Sequence, residues 1–227
     1  MGGMNPQAEM IPSQQKEEIF HITLLRHGES EGNLNGYIQG QRDLPLTQKG
    51  LEQAQSISNA WLLSKTTFDL IISSPLRRTR MTAELIGKNL EVPIEFDVNL
   101  IERGFGQMEG REIKKILVEN PPDFNQPYIK PGVDGESLVE VFNRAGMFLQ
   151  NLLCRPAGRY LVVSHGAFLN MLVYVIFGIT PHNNPRTLRF NFSNTGYASF
   201  SFNPSIHQWR LLEFITNHYS KEPNIYP

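Results

Sequence analysis

The stretch Leu24–Asn33, LLRHGESEGN, decides how the rest of the chain is read. It closes an apolar run, FHITLLR (20–26), and at once presents a guanidinium, Arg26, and an imidazole, His27. The apolar run predicts a buried strand. Folding alone has no need of Arg and His where such a strand ends. In open α/β sheets, ligands sit beyond the carboxyl ends of the strands, so the position itself points to a site.

Outward from this stretch, apolar strands alternate with helical patterns. LTQKGLEQAQSISNAWLLSK (46–65) reads as a helix with Thr47 as N-cap. DLIIS (69–73) reads as a strand, and the following segment as a helix with Ser74 as N-cap, Pro75 at its first position and a buried stripe of Leu76, Thr79, Ala83, Ile86 and Leu90. PIEFD (93–97) is a weak strand, and 120–137 holds most of the local proline and glycine and reads as a long loop. Residues 138–153 give an amphipathic helix, RYLVVS (159–164) a strand, and a second apolar helix follows it. YASFSF (197–202) and WRLLEF (209–214) suggest a terminal hairpin around Asn203 and Pro204. The alternation predicts an α/β fold, a three-layer α/β/α sandwich with a mainly parallel mixed sheet. Residues 1–18 are expected to be a flexible N-terminal tail, and 19–220 a single domain.

Composition narrows the function. A net charge of −1 excludes a whole-protein basic field for nucleic acid, so any anion must be met by local clustering. One cysteine, Cys154, excludes an internal disulfide and is too few for a cysteine zinc site; a reducing, cytoplasmic setting is expected. The N-terminus has no basic and apolar leader pattern. Leu161–Ile179 imitates a membrane span, but Ser164-His165-Gly166 breaks it, and strand, turn and helix explain it better than a membrane segment. The residues do not choose between monomer and homodimer.

Three distant segments now converge. Arg26 and His27 follow the first strand, Arg77 and Arg78 lie within a turn of the second, and His165 follows YLVVS. Imidazoles and guanidiniums around one point suit a phosphate dianion. A neutral histidine nitrogen can attack phosphorus, provided the other nitrogen is held as N–H, for example by a backbone carbonyl. The remaining cations would stabilise the transition state. A leaving alkoxide also needs a proton, and LIERGFGQMEG offers Glu102 and Glu109. Composition alone does not choose between the two acids, or between Arg77 and Arg78.

LLRHGESEGN, SSPLRRTRMTA, LIERGFGQMEG and VVSHG, in this order, resemble the histidine phosphatase superfamily in its phosphoglycerate-mutase-like branch (branch 1). QGQRDLPLTQKGLEQAQ, GESLVEVFNR and NTGYASFSF fit the same family, so the resemblance runs from about residue 20 to 218. It implies a phosphohistidine on His27, phosphoryl binding by Arg26 and Arg78, proton donation by Glu102 and a second active-site histidine at His165. It places Asn33, Gln39 and Gly40 where the family contacts phosphate or substrate, with the Gly166 amide as a further donor. It implies no metal and no cofactor. Only 62 residues separate Glu102 from His165, and nothing in them matches the long insertion of cofactor-dependent mutases. The expectation is therefore a phosphatase acting on a small phosphorylated metabolite, with a phosphoglycerate mutase or a non-catalytic phosphate-binding member as alternatives.

Bland readings stand beside these. Arg77 and Arg80 fit a solvated helix face, Glu109 a loop carboxylate, and Asn33 and Gln39 simple loop braces. His21, His182, His207 and His218 are expected to be structural or surface residues. CRPAGR has the wrong spacing for a cysteine-phosphatase loop, GFGQMEG misses the dinucleotide fingerprint, and VVSHG lacks the first glycine of a serine-hydrolase elbow. The substrate wall is expected in the loop Gln107–Gly135, with Met108, Phe124 and Tyr128 as contacts and Lys114, Lys115 and Lys130 as cations.

Overall fold

The central strands are apolar on both faces because both faces are covered. The computed structural model describes residues 18–119, 126–181 and 188–216. Its strands are β1 (Phe20–Arg26), β2 (Leu70–Ser73), β3 (Ile94–Phe96), β4 (Arg159–Ser164), β5 (Tyr197–Asn203) and β6 (Gln208–Ile215). They form one sheet in the order β3-β2-β4-β1-β5-β6. β1, β2, β3 and β4 run parallel, while β5 is antiparallel to both β1 and β6. The helices are α1 (Glu31–Leu34), α2 (Gln48–Leu63), α3 (Arg77–Leu90), α4 (Ile113–Glu119), α5 (Leu138–Leu153) and α6 (Gly166–Phe177).

The period-2 alternation of the strands assigns each helix pair to a face. Ile22, Leu24, Tyr160 and Val162 pack with Val141, Phe148, Phe168 and Leu172 of α5 and α6. Leu25, Ile71, Leu161 and Val163 pack with Ile57 and Trp61 of α2 and Ala83 and Ile86 of α3. The three-layer sandwich is therefore as expected. Burying each such aliphatic or aromatic side chain is worth about 1.5–3 kcal/mol.

Thr47 caps α2 as expected, its hydroxyl oxygen accepting from Gly50 N at 3.0 Å. The start of α3 differs. The N-cap is Leu76 with no side-chain cap, and Arg77, not Pro75, is the first helical residue. The reason lies in the site: the Ser74 hydroxyl is engaged by His165 at 2.9 Å. Its contact with the Leu76 amide is a long 3.4 Å. Two short helices, α1 and α4, were not expected; α1 is closed by a capping box between Ser30 and Asn33. The tail 1–17, Phe124, His182 and His218 lie outside the described residues.

At the edge of the sheet, β6 exposes Leu211 and Leu212. The Leu161–Ile179 stretch divides into β4 and the 12-residue α6. Among the described residues no helix is long and apolar enough to cross a membrane.

Candidate active site

Parallel pairing of β1, β4 and β2 puts their carboxyl ends side by side. The His27 amide donates to Ser164 O at 3.1 Å and the Ser74 amide to Val163 O at 3.0 Å, so the pairing continues past the strand ends. From the other side Arg26 N donates to Gly196 O at 3.0 Å, and Asn194 Nδ2 to His27 O at 3.1 Å. His27 is thus held in place through its backbone. Gly28 must be glycine, because a Cβ there would stand 2.4 Å from Gly50 O, where α2 begins.

His27 and His165 meet edge to face, their ring centroids 5.2 Å apart, and both are essentially fully buried. His27 Nδ1 lies 2.6 Å from Gly28 O. A carbonyl only accepts, so Nδ1 carries the proton and Nε2 keeps its lone pair. His165 has the opposite arrangement. Arg78 Nε, which only donates, points at His165 Nδ1 at 3.1 Å. In a neutral ring the proton is then on Nε2, which donates to Ser74 Oγ.

Arg78 is 1% exposed. Beyond His165, its Nη1 donates to Arg42 O at 2.7 Å and its Nη2 to Gly40 O at 2.8 Å. Arg77, by contrast, is exposed, and its backbone N–H donates to Asp43 Oδ1. Arg80 lies over the Phe96 ring on the outer face. Arg26 donates through Nη1 to Phe192 O at 2.7 Å, and its guanidinium lies near Gly166, whose added Cβ would sit 3.8 Å from Arg26 Cζ and Nε.

Burial, first, and then the charges of Arg78 and Arg26 push the His27 pKa well below its ordinary 6.5. His165 is lowered well below 6.5 by burial, then by Arg78, His27, Arg26 and Arg144. Arg78 is brought down to about 10, chiefly by burial, against which the Glu102 charge acts. Both imidazoles are therefore neutral near neutral pH. As pH falls through 6.5, the unfolded chain takes up protons that the folded one refuses, so stability is lost on acidification. For each histidine the loss approaches about 1.4 kcal/mol per pH unit once pH is below 6.5. Urea unfolding between about pH 5 and 6.5 checks it: His27→Ala should make the slope shallower, and an unchanged slope contradicts the assignment.

Glu102 is held by the start of α6. Its Oε1 accepts from Phe168 N at 3.1 Å and from Arg103 N at 2.9 Å, and its Oε2 from Ala167 N at 3.3 Å. His165 is the N-cap of the same helix but supplies no side-chain cap, and the Glu102 carboxylate fills that role. Gly166 is the first residue of α6, and its amide is not among those taken by Glu102. Glu109 stands apart, accepting from Gln41 N and Phe105 N, each at 3.0 Å, which is a loop brace.

The remaining candidates brace the site. Asn33 Oδ1 accepts from Ser30 N at 3.1 Å and from Asn194 Nδ2 at 3.3 Å, and Gln39 Oε1 lies 2.7 Å from Ser30 Oγ. Gly40 has φ +51, and a Cβ would stand 2.0 Å from Glu109 Oε1. Lys130 pairs with Glu140 at 2.6 Å and Lys115 with Glu112 at 2.9 Å. Tyr128 is exposed and Met108 half-buried. Asn194 receives no site role from the sequence, and Ser74 is expected there only as the start of a helix whose N–H groups favour an anion; its pairing with His165 depends on β2 and β4 being neighbours, which no local pattern shows. Among the described residues, no group of three or more His, Cys, Asp or Glu converges to hold a metal ion. A cavity of about 380 Å³ between α2 and the β1–β5–β6 face, lined by Trp61, Tyr197 and Glu213 among others, shares no residue with this site.

Two neutral imidazoles among arginines thus stand at the carboxyl edge of this α/β sheet, and the chain belongs to the histidine phosphatase superfamily (branch 1), whose profile matches residues 22–215. It is 34% identical over 197 residues to the probable phosphoglycerate mutase GpmB of Proteus mirabilis, covering 82% of this chain and 87% of that one. Among solved structures, a putative α-ribazole-5′-P phosphatase of Escherichia coli matches with a TM-score of 0.75 at 26% identity, covering 89% of this chain and 99% of that one. Phosphoserine phosphatase from Entamoeba histolytica, in complex with 3-phosphoglyceric acid, matches with a TM-score of 0.70 at 27% identity, covering 87% and 98%. The family and fold are those implied by the sequence resemblance.

Proposed function

We propose that the protein is a metal-independent phosphatase that hydrolyses a small phosphomonoester through a phosphohistidine on His27. The observation that carries this reading is the His27 ring: Nδ1–H is committed to Gly28 O at 2.6 Å, and burial beside two guanidiniums keeps the ring neutral. Nε2 thus has an available lone pair at neutral pH. In this reading Arg26, Arg78 and the Gly166 amide bind the phosphoryl oxygens, with His165 supporting Arg78 through Nδ1. His27 Nε2 bonds to phosphorus as the P–O ester bond breaks, and Glu102 gives its proton to the leaving oxygen. Water then attacks the phosphohistidine, its proton passes to the Glu102 carboxylate, and phosphate leaves with His27 restored. Asn33 and Gln39 act by holding the loop that carries the site. The phosphatase names among the structural neighbours support hydrolysis.

The mutase reading is favoured by one specific observation, the 34% identity to a probable phosphoglycerate mutase. A mutase must keep water from the phosphohistidine, whereas a phosphatase admits it. Product analysis with 3-phosphoglycerate separates the two. Phosphate release is expected to exceed formation of 2-phosphoglycerate, with chelator leaving the rate unchanged; isomer formation outpacing phosphate release would establish the mutase. A panel of sugar phosphates, phosphoglycerates, nucleotides and aryl phosphates then defines the substrate.

A further inference from the structure

We propose that Arg144 and Glu136 are positioning residues that set the Glu102 carboxyl against the leaving oxygen. The proposal rests on Glu102 being the proton donor. Beyond the 3₁₀ turn Val98–Leu100, residues 101–105 have neither helix nor strand to fix them. Arg144, on α5, supplies that support. Its Nη1 donates to Asn99 O at 2.8 Å and Ile101 O at 2.7 Å, and its Nη2 to Glu102 O at 3.3 Å.

Glu136 locks the same guanidinium, accepting from Nε at 3.1 Å and from Nη2 at 2.8 Å. The same carboxylate accepts from Gly104 N at 2.8 Å, so it grips the segment on the far side of Glu102. Two further bonds close the strap: the Glu136 backbone N donates to Gly104 O at 2.8 Å, and the Arg103 side chain donates through Nε to Glu136 O at 2.7 Å. Gln41 Nε2 adds a bond to Glu102 O at 3.1 Å. Finally, the Arg144 guanidinium stands 5.1 Å from the centre of the Phe168 ring, and the Phe168 amide holds Glu102 Oε1. One guanidinium therefore grips the backbone of the acid and packs on the residue that orients its carboxyl. Charge-assisted bidentate pairs are the stiffest such contacts. A displacement of about 1 Å at a reacting group costs about 100-fold.

Leaving-group dependence tests this. A residue that acts through the acid matters most where the leaving oxygen needs a proton. kcat/KM would be measured for dinitrophenyl, nitrophenyl, phenyl and propyl phosphates with wild type, Glu102→Gln, Arg144→Lys and Gln41→Met, and folding checked by thermal unfolding. Glu102→Gln and Arg144→Lys are expected to lower propyl phosphate hydrolysis about 100-fold and dinitrophenyl phosphate hydrolysis less than about 5-fold. Gln41→Met, which removes the Nε2 contacts to Glu102 O and Glu136 Oε2, should steepen the series in the same direction, and it carries the test if Arg144→Lys does not fold. Equal losses across the series in Arg144→Lys or Gln41→Met, with Glu102→Gln still selective, would overturn the clamp and leave the acid in place. Equal losses in Glu102→Gln would overturn both.

Discussion

His27→Ala is expected to lower turnover of an aryl phosphate by about 10⁴-fold or more while the protein stays folded. The size follows from the role: without a nitrogen to attack phosphorus the covalent route is closed, and bound water remains as the nucleophile. The retained fold follows from the surroundings. The His27 ring is buried beside Arg26 and Arg78, which disfavour its protonation, and its side chain hydrogen-bonds to the adjacent residue, Gly28. Its removal leaves no distant group without a partner. Steady-state rates with nitrophenyl phosphate, alongside urea unfolding, check both halves. A loss of less than about tenfold would rule out His27 as the nucleophile.

Arg78→Ala is expected to be costly in both activity and stability. Its guanidinium joins His165 Nδ1, Gly40 O and Arg42 O, so truncation leaves the His165 nitrogen and the buried Gly40 carbonyl without this donor, while Arg42 O keeps the Leu44 amide. A loss of about 3 kcal/mol follows at the usual cost of such groups. The lost charge beside the phosphoryl group should lower kcat/KM about 10³-fold. Arg78→Lys should recover little, because an ammonium cannot reproduce the three-way fork. Unfolding midpoints and kcat/KM for both variants test this; a destabilised protein with near-normal kcat/KM would reduce Arg78 to a structural strut.

The contrast between these two residues also shows what a linear reading can reach. His27 was legible because a cation and an imidazole directly follow an apolar run, and β1 and β4 are such runs because helices cover them on both sides. The choice of Arg78 over Arg77 was open from the residues alone and came from family resemblance; geometry supplies the reason, since the first residue of α3 faces solvent and the second faces the sheet edge. Ser74 reads as a helix cap in any local scheme, yet its hydroxyl is engaged by a histidine 91 positions away. Arg144 falls in an amphipathic helix pattern as a polar position, and its acceptors at residues 99, 101 and 102 become visible only when α5 packs beside that segment. α1 is four residues long, too short for periodicity to register, and depends on the Ser30–Asn33 capping box.

The central claim is a covalent bond from phosphorus to one ring nitrogen. Rapid acid-free quenching during turnover of a phosphate-labelled ester, followed by peptide mapping, tests it most directly. The expected result is stoichiometric label on Nε2 of His27, stable to base and labile to acid as a phosphoramidate is. Label on another residue, or its absence under conditions where the first step outruns the second, would contradict the account.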